Sequence, residues 1–284
     1  MATHLRYSEN GIVDCMKISI VLSTQPSAFS ALAYKGNVSE NVAKIKGLGF
    51  DGIELAVRDP NELDVDFLAS ALRENSLPVS AIGTGQAYVE DGLSFTNPKQ
   101  EIRKRAIERI KSHARLAERF NAIVIIGLVQ GRKESGLRDE EVGSWLVEAL
   151  TECASVNENT RFALEPINRY ETNLINNVAS GLELLDKVKR KNVGLLLDTF
   201  HMNIEEPSIT ESIRTAQNSL FHFHVADSNR WYPGAGHINF RSVRDVLDRI
   251  GYRDFISAEI LPLPDPDTAA KKTITFMREL SMKK

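Results

Sequence analysis

Eight short apolar runs rich in β-branched residues alternate with eight longer amphipathic segments along the chain, and this alternation constrains the fold more than any other feature. The runs lie at 17–22, 52–57, 79–85, 122–129, 161–167, 193–199, 220–227 and 255–260. Their nearly continuous hydrophobicity predicts parallel strands buried on both faces. Between and after them, helical periodicity predicts helices over 38–48, 62–75, 98–120, 139–156, 178–190, 208–217, 241–250 and 267–281. Asn97-Pro98 and Pro266-Asp267 read as helix starts, with proline in the first turn. Eight βα units in strict alternation predict an α/β fold, a closed (β/α)8 TIM barrel. A doubly wound open sheet is the alternative, but it calls for a glycine-rich turn after the first strand, where this chain has STQPS.

At 284 residues, one barrel accounts for the length, and the reading assigns 16–284 to a single barrel domain. The polar segment 1–15 precedes the first strand pattern and is expected to be a disordered extension. It lacks the apolar stretch of a signal peptide, and no run reaches the roughly 18 apolar residues of a membrane span. Two cysteines, Cys15 and Cys153, support neither a disulfide framework nor a thiolate metal site, in keeping with the cytoplasm. With a net charge of −3 and basic clusters confined to Arg103–Arg105 and Lys187–Lys191, nucleic acid is not an expected partner.

Barrel chemistry collects at the carboxyl ends of the strands. There the chain places Glu165, Asp198, His224 and Glu259, ionisable residues in apolar surroundings on the last four strands. Successive spacings of 33, 26 and 35 residues correspond to about one βα unit each, so the side chains are free to converge. Any one carboxylate is equally well read as a structural partner for a nearby lysine or arginine, and a lone inward histidine more often belongs to the core. Four on consecutive strands require a common explanation. Three buried carboxylates without a cation would suffer like-charge repulsion and desolvation. A single divalent ion removes that conflict. Three oxygens and an imidazole suit Mn²⁺ best, with Mg²⁺ and Co²⁺ also acceptable, and zinc is less indicated without thiolates.

At these positions the chain resembles the tagatose and psicose 3-epimerases of the xylose isomerase-like barrels, through ALEPINRYET (163–172), LLLDTFHMNIEE (195–206), HFHVADSNRWYPGAGH (222–237) and SAEI (257–260). GFDGIELAVRDP (49–60) and the segment 93–122 carry the likeness into the first half. Within that family, ALAYKGN (31–37), AVRDP (56–60), AIGTGQAY (81–88) and IIGLVQGR (125–132) are similar to the 5-keto-L-gluconate epimerases of inositol catabolism. The resemblance implies one ion on Glu165, Asp198, His224 and Glu259, with Glu165 and Glu259 as the acid/base pair. It implies that His201 and Arg230 contact substrate oxygens near the carbonyl, with Glu171 close by and Gln86 also binding substrate. The plain alternatives are that His201 caps a loop and that Glu171 pairs with Arg169. Family members also form dimers or tetramers, which makes a homo-oligomer an expected partner state.

The expected reaction inverts the carbon beside the ketone of a ketohexose or keto-hexonate, best matched by 5-keto-L-gluconate and D-tagaturonate. Its intermediate is an enediolate, stabilised by a Lewis acid at the oxygens while carboxylates exchange protons with either face. For a keto-acid, Arg58 and Arg132 are candidate forked donors to the carboxylate, the alternative for Arg58 being a salt bridge to Asp59 or Glu62. An aldose–ketose isomerase on the same site shares the enediolate. An endonuclease IV-like phosphodiesterase fits less well, because it needs a multi-metal cluster richer in histidine than this chain with its six.

Overall fold

A computed structural model describes residues 16–282, together with the backbone of Tyr7–Ser8 and Gly11–Ile12, which pair as two short antiparallel strands. The expectation for the rest of segment 1–15 lies outside the described residues. Eight parallel strands follow: β1 Lys17–Ser23, β2 Ile53–Ala56, β3 Val79–Gly83, β4 Ile123–Ile126, β5 Phe162–Leu164, β6 Val193–Asp198, β7 Leu220–Val225 and β8 Phe255–Ala258. Each pairs with its sequence neighbour, and β8 returns to β1 with Phe255 opposite Lys17 and Ala258 opposite Ile20. The sheet is therefore a closed barrel, as the alternation predicts. The two-residue strand Tyr34–Lys35 adds to the upper end of β1.

Helices α1 Val38–Leu48, α2 Val65–Glu74, α3 Gln100–Phe120, α4 Asp139–Ala154, α5 Val178–Val188, α6 Ile209–Ala216, α7 Phe240–Arg249 and α8 Pro266–Met282 fill the expected intervals. Local chemistry fixes their ends. Asn177 and Ser180 form a reciprocal capping box at α5, and Asp64 accepts from the Phe67 amide at α2. Pro266 does open α8, with Asp267 in its first turn. The start expected at Asn97-Pro98 is corrected: Asn97 Oδ1 accepts from Lys99 N in a tight turn, and α3 begins afterwards at Gln100.

The main apolar core lies between strands and helices, with Ile20, Leu55, Ile82, Val124, Leu164, Leu197 and Phe223 among its buried residues. Inside the barrel, Ala81, Ile123, Ile125, Ala163 and Leu196 form a smaller cluster. The interior is not purely apolar. Ser19, Ser80, Glu54, His222, His224 and Ser257 are also buried, and Ser80 Oγ donates to Ser19 Oγ at 2.9 Å. No helix among the described residues is long and apolar enough to cross a membrane.

Candidate metal centre and substrate cavity

The carboxyl ends of β5 to β8 bring Glu165, Asp198, His224 and Glu259 together, and one ligand atom from each lies within 4.8 Å of the others. Glu165 follows β5 directly, its amide donating to Ile126 O of β4 at 3.0 Å. Space for its carboxylate comes from Gly127, where a Cβ would lie 2.8 Å from Glu165 Oε2. Asp198 closes β6 and caps the short helix Thr199–Glu205, with Oδ1 accepting from Phe200 N at 2.8 Å. That bond leaves Oδ2 facing the cluster. His224 stands two residues beyond His222 on the same face of β7, as strand alternation requires.

Three of these groups point buried atoms with no hydrogen-bond partner, Glu165 Oε1, Asp198 Oδ2 and His224 Nδ1. Burying such atoms unpaired is costly. A divalent cation among them would satisfy all three, so the donor set fits the ion that the sequence suggests. The conflict among these groups appears as displaced protonation. Burial, then the neighbouring Glu259 carboxylate, pushes Glu165 well above the ordinary carboxylate range. Burial also raises Asp198 and Glu259, against the opposing charges of His224 and Arg230. His224 is pushed up to about 10, because Glu54 outweighs the cost of burying its charge.

His201, on the helix that Asp198 caps, has its Nδ1 accepting from Asn168 Nδ2 at 2.8 Å. Its proton therefore sits on Nε2, which lies 3.6 Å from Glu165 Oε1. Burial, then the charges of Arg230 and His224, holds His201 well below the usual imidazole range, so it is a neutral donor aimed at the site. Asn168 also donates to Glu171 Oε1 at 2.9 Å. Arg230 donates to Glu171 Oε1 at 2.9 Å and to Glu259 Oε2 at 2.8 Å, with its guanidinium 4.8 Å from the Phe200 ring centre. Its backbone has φ +61°, an uncommon conformation for a side-chain-bearing residue. The buried Asp227 carboxylate maintains that turn by accepting from Ser228 N, Gly234 N and Ile238 N.

Glu165, Glu259, His224, His201, Arg230, Glu171 and Gln86 line one cavity, with Phe29, Leu32 and Leu128 on its apolar side. Gln86 Nε2 donates to Ser23 Oγ at 2.6 Å. Glu171 pairs with Arg230 rather than with Arg169, which binds Glu205. The structure does not bring two of the expected substrate contacts to the cavity. Arg58 directs Nε and Nη2 onto Asp91 Oδ1, at 2.9 and 2.5 Å, and does not line the cavity. Its partner is neither Asp59, which pairs with Arg109, nor Glu62. Arg132 is likewise outside the cavity, its Nη1 donating to the carbonyls of Tyr170 and Glu171. A carboxylate holds Arg58 Nε and Nη2, and loop carbonyls hold Arg132 Nη1. Arg58→Ala should accordingly leave the ratio of turnover on charged and neutral ketoses unchanged and lower the melting temperature only slightly. Steady-state kinetics on both substrate classes, with thermal melts, check this; a selective loss on keto-acids would mean that Arg58 meets the substrate carboxylate.

Glu54, Asn168 and Asp227 are not among the site residues expected from the sequence. Glu54 carried the same signal as the four cluster residues, a charge inside the apolar run GIELAV. Asn168 and Asp227 act through loop geometry that no spacing reveals.

The xylose isomerase-like TIM barrel family matches residues 42–280. An L-ribulose 3-epimerase of Methylomonas sp. is 30% identical over 263 residues, covering 88% of this chain and 89% of its own. The 3-dehydro-D-guloside 4-epimerase of Escherichia coli is 27% identical, covering 90% and 98%. Among solved structures, a D-allulose 3-epimerase from Methylomonas sp. in complex with D-allulose superposes with a TM-score of 0.80 at 26% identity, covering 94% of this chain and 97% of that one. With its closed barrel, its cluster at the ends of β5 to β8 and these relatives, the chain belongs to the xylose isomerase-like TIM barrel family, alongside the ketose 3-epimerases.

Proposed function

We propose that this protein is a divalent-metal-dependent epimerase that inverts the carbon beside the ketone of a ketohexose or keto-hexonate. The observation that carries this reading is the convergence of three carboxylates and His224, with partnerless buried atoms on Glu165, Asp198 and His224. Glu165, Asp198, His224 and Glu259 would hold the ion, and three oxygens with one imidazole favour Mn²⁺. When bound, such an ion supplies Lewis-acid stabilisation of negative charge on the substrate oxygens.

The chain's own residues supply the remaining steps. One of Glu165 and Glu259 removes the proton beside the ketone, and the other returns a proton to the opposite face. Burial raises both, which suits groups that must carry a proton for part of the cycle. His201 offers a neutral Nε2–H to a substrate oxygen. Arg230 keeps Glu259 and Glu171 in place from a desolvated position between them. Phe29, Leu32 and Leu128 exclude water from one side of the cavity.

The preferred substrate pair is 5-keto-L-gluconate and D-tagaturonate, supported by the similarity of residues 31–37, 56–60, 81–88 and 125–132 to epimerases of that type. On this reading the enzyme serves inositol catabolism in the cytoplasm. The test is incubation of Mn²⁺-loaded protein with keto-hexonates and ketohexoses in deuterated water. The expected result is deuterium beside the ketone together with an epimeric product, fastest for the keto-hexonate. An aldehyde product would make it an aldose–ketose isomerase, and faster turnover of neutral ketohexoses would overturn the substrate assignment.

A further inference from the structure

Glu54 lies in the barrel interior at 1% exposure, with no lysine or arginine among its hydrogen-bond partners. An isolated carboxylate there would be strongly unfavourable. Its oxygens instead meet two imidazoles. His222 Nε2 is 2.8 Å from Oε2, and His224 Nε2 is 3.1 Å from Oε1 and 3.0 Å from Oε2. The two rings stand edge to face with centroids 5.2 Å apart. An ionised carboxylate only accepts hydrogen bonds, which puts a proton on Nε2 of His224. The other ring nitrogen, Nδ1, is the one turned toward Glu165, at 4.0 Å from Oε1, and it has no hydrogen-bond partner.

We propose that Glu54 is a positioning residue that fixes the tautomer and ring plane of His224, presenting the Nδ1 lone pair to the cation site, with His222 bracing Glu54 from the far side. This rests on the metal reading above and extends it one layer outward. A ligand imidazole whose second nitrogen donates to a carboxylate is both oriented and made more basic. The sequence places all three residues where this requires: Glu54 on β2, across the barrel from β7, with His222 and His224 at alternate positions of one strand face. Donor atoms of Glu54, His222 and His224 lie close enough to hold a cation themselves. Their separations of 2.8–3.1 Å are those of protonated hydrogen bonds, and the proposal therefore requires one ion per chain.

The experiment measures Mn²⁺ stoichiometry and affinity, by electron paramagnetic resonance of the free ion, for the wild type, Glu54→Gln and Ser80→Ala. Ser80 hydrogen-bonds Ser19 and the Ile53 carbonyl in the same interior without touching His224, so it controls for general loosening. The expected result is one Mn²⁺ per wild-type chain, an affinity about 10- to 100-fold weaker in Glu54→Gln, and no change in Ser80→Ala. Nitrogen-15 spectra of the Mg²⁺-loaded wild type provide a readout independent of the variant's folding and should show His224 protonated on Nε2 alone. Wild-type affinity in Glu54→Gln, equal losses in both variants, two ions per wild-type chain or a proton on Nδ1 would each overturn the proposal. A wild type that takes up no ion would instead overturn the metal reading, an outcome separable from these.

Discussion

Glu165→Gln and Glu259→Gln should each lower kcat for epimerisation by on the order of 10²- to 10⁴-fold, the usual contribution of a positioned acid or base. The more informative result is an asymmetry between the two variants. Each glutamine keeps a carbonyl oxygen as a donor but can no longer take up a proton. The glutamate that remains still removes and returns a proton on its own face, so each variant should exchange deuterium into one epimer without converting it. The epimer that exchanges in Glu165→Gln should be the inert one in Glu259→Gln. Arg230 touches Glu259 at 2.8 Å and Glu171 at 2.9 Å, while no side chain donates to Glu165 Oε1. The two carboxylates thus enter the site in different environments, although burial raises both. Mass spectrometry of each epimer incubated in deuterated water reads the pattern. Loss of exchange into both epimers in one variant, with exchange into both retained in the other, would mean that one base serves both faces, and the two-carboxylate scheme would fail.

How much of this was legible in the sequence follows from where each property resides. The barrel was readable because fully buried parallel strands need continuous apolar runs, and only closure accommodates eight of them in strict succession. The cluster of Glu165, Asp198, His224 and Glu259 was readable because an ionisable residue is conspicuous inside such a run. By that rule Glu54 is equally visible, but it stands alone on β2, outside the consecutive run of β5 to β8 that gives the other four a common explanation. Arg58 and Arg132 lie apart from the cavity lining for a different reason. Strand-end position says which rim a residue occupies, but an arginine side chain spans enough distance to turn toward Asp91 or the 170–171 carbonyls instead of the cavity. Loop contacts decide that direction. The same limit hid Asn168 and Asp227, whose roles depend on turns at the barrel mouth.

Exhaustive chelation should abolish turnover, Mn²⁺ should restore it, and the ion should raise the melting temperature more at about pH 8 than at about pH 5.5. The direction follows from proton linkage. In the metal-free fold Glu165, Asp198 and Glu259 lie above their unfolded values, and His224 is raised to about 10. A group raised by folding contributes stability below its unfolded pKa and loses that contribution as pH rises through its folded value. Each of the four makes the metal-free protein less stable as pH rises through its folded value, and for His224 that loss runs from about 6.5 up to about 10 and so covers the alkaline part of this window. Glu54 has the opposite sign. Burial alone would raise it, but His224 and His222 hold it far below the carboxylate range, so its contribution is lost only in acid and stays constant across this window. Protons also compete with the ion for His224 Nδ1 and the three carboxylates, which weakens binding at the lower pH. An ion at a thousandfold excess over its Kd adds roughly 4 kcal/mol, equivalent to about 5–10 °C for a chain of this length. Calorimetric scans with and without Mn²⁺ at the two pH values measure the difference. A shift that is absent, or larger at the lower pH, would mean that these four side chains do not share a cation and that the proton imbalance of the metal-free fold is not what the ion relieves.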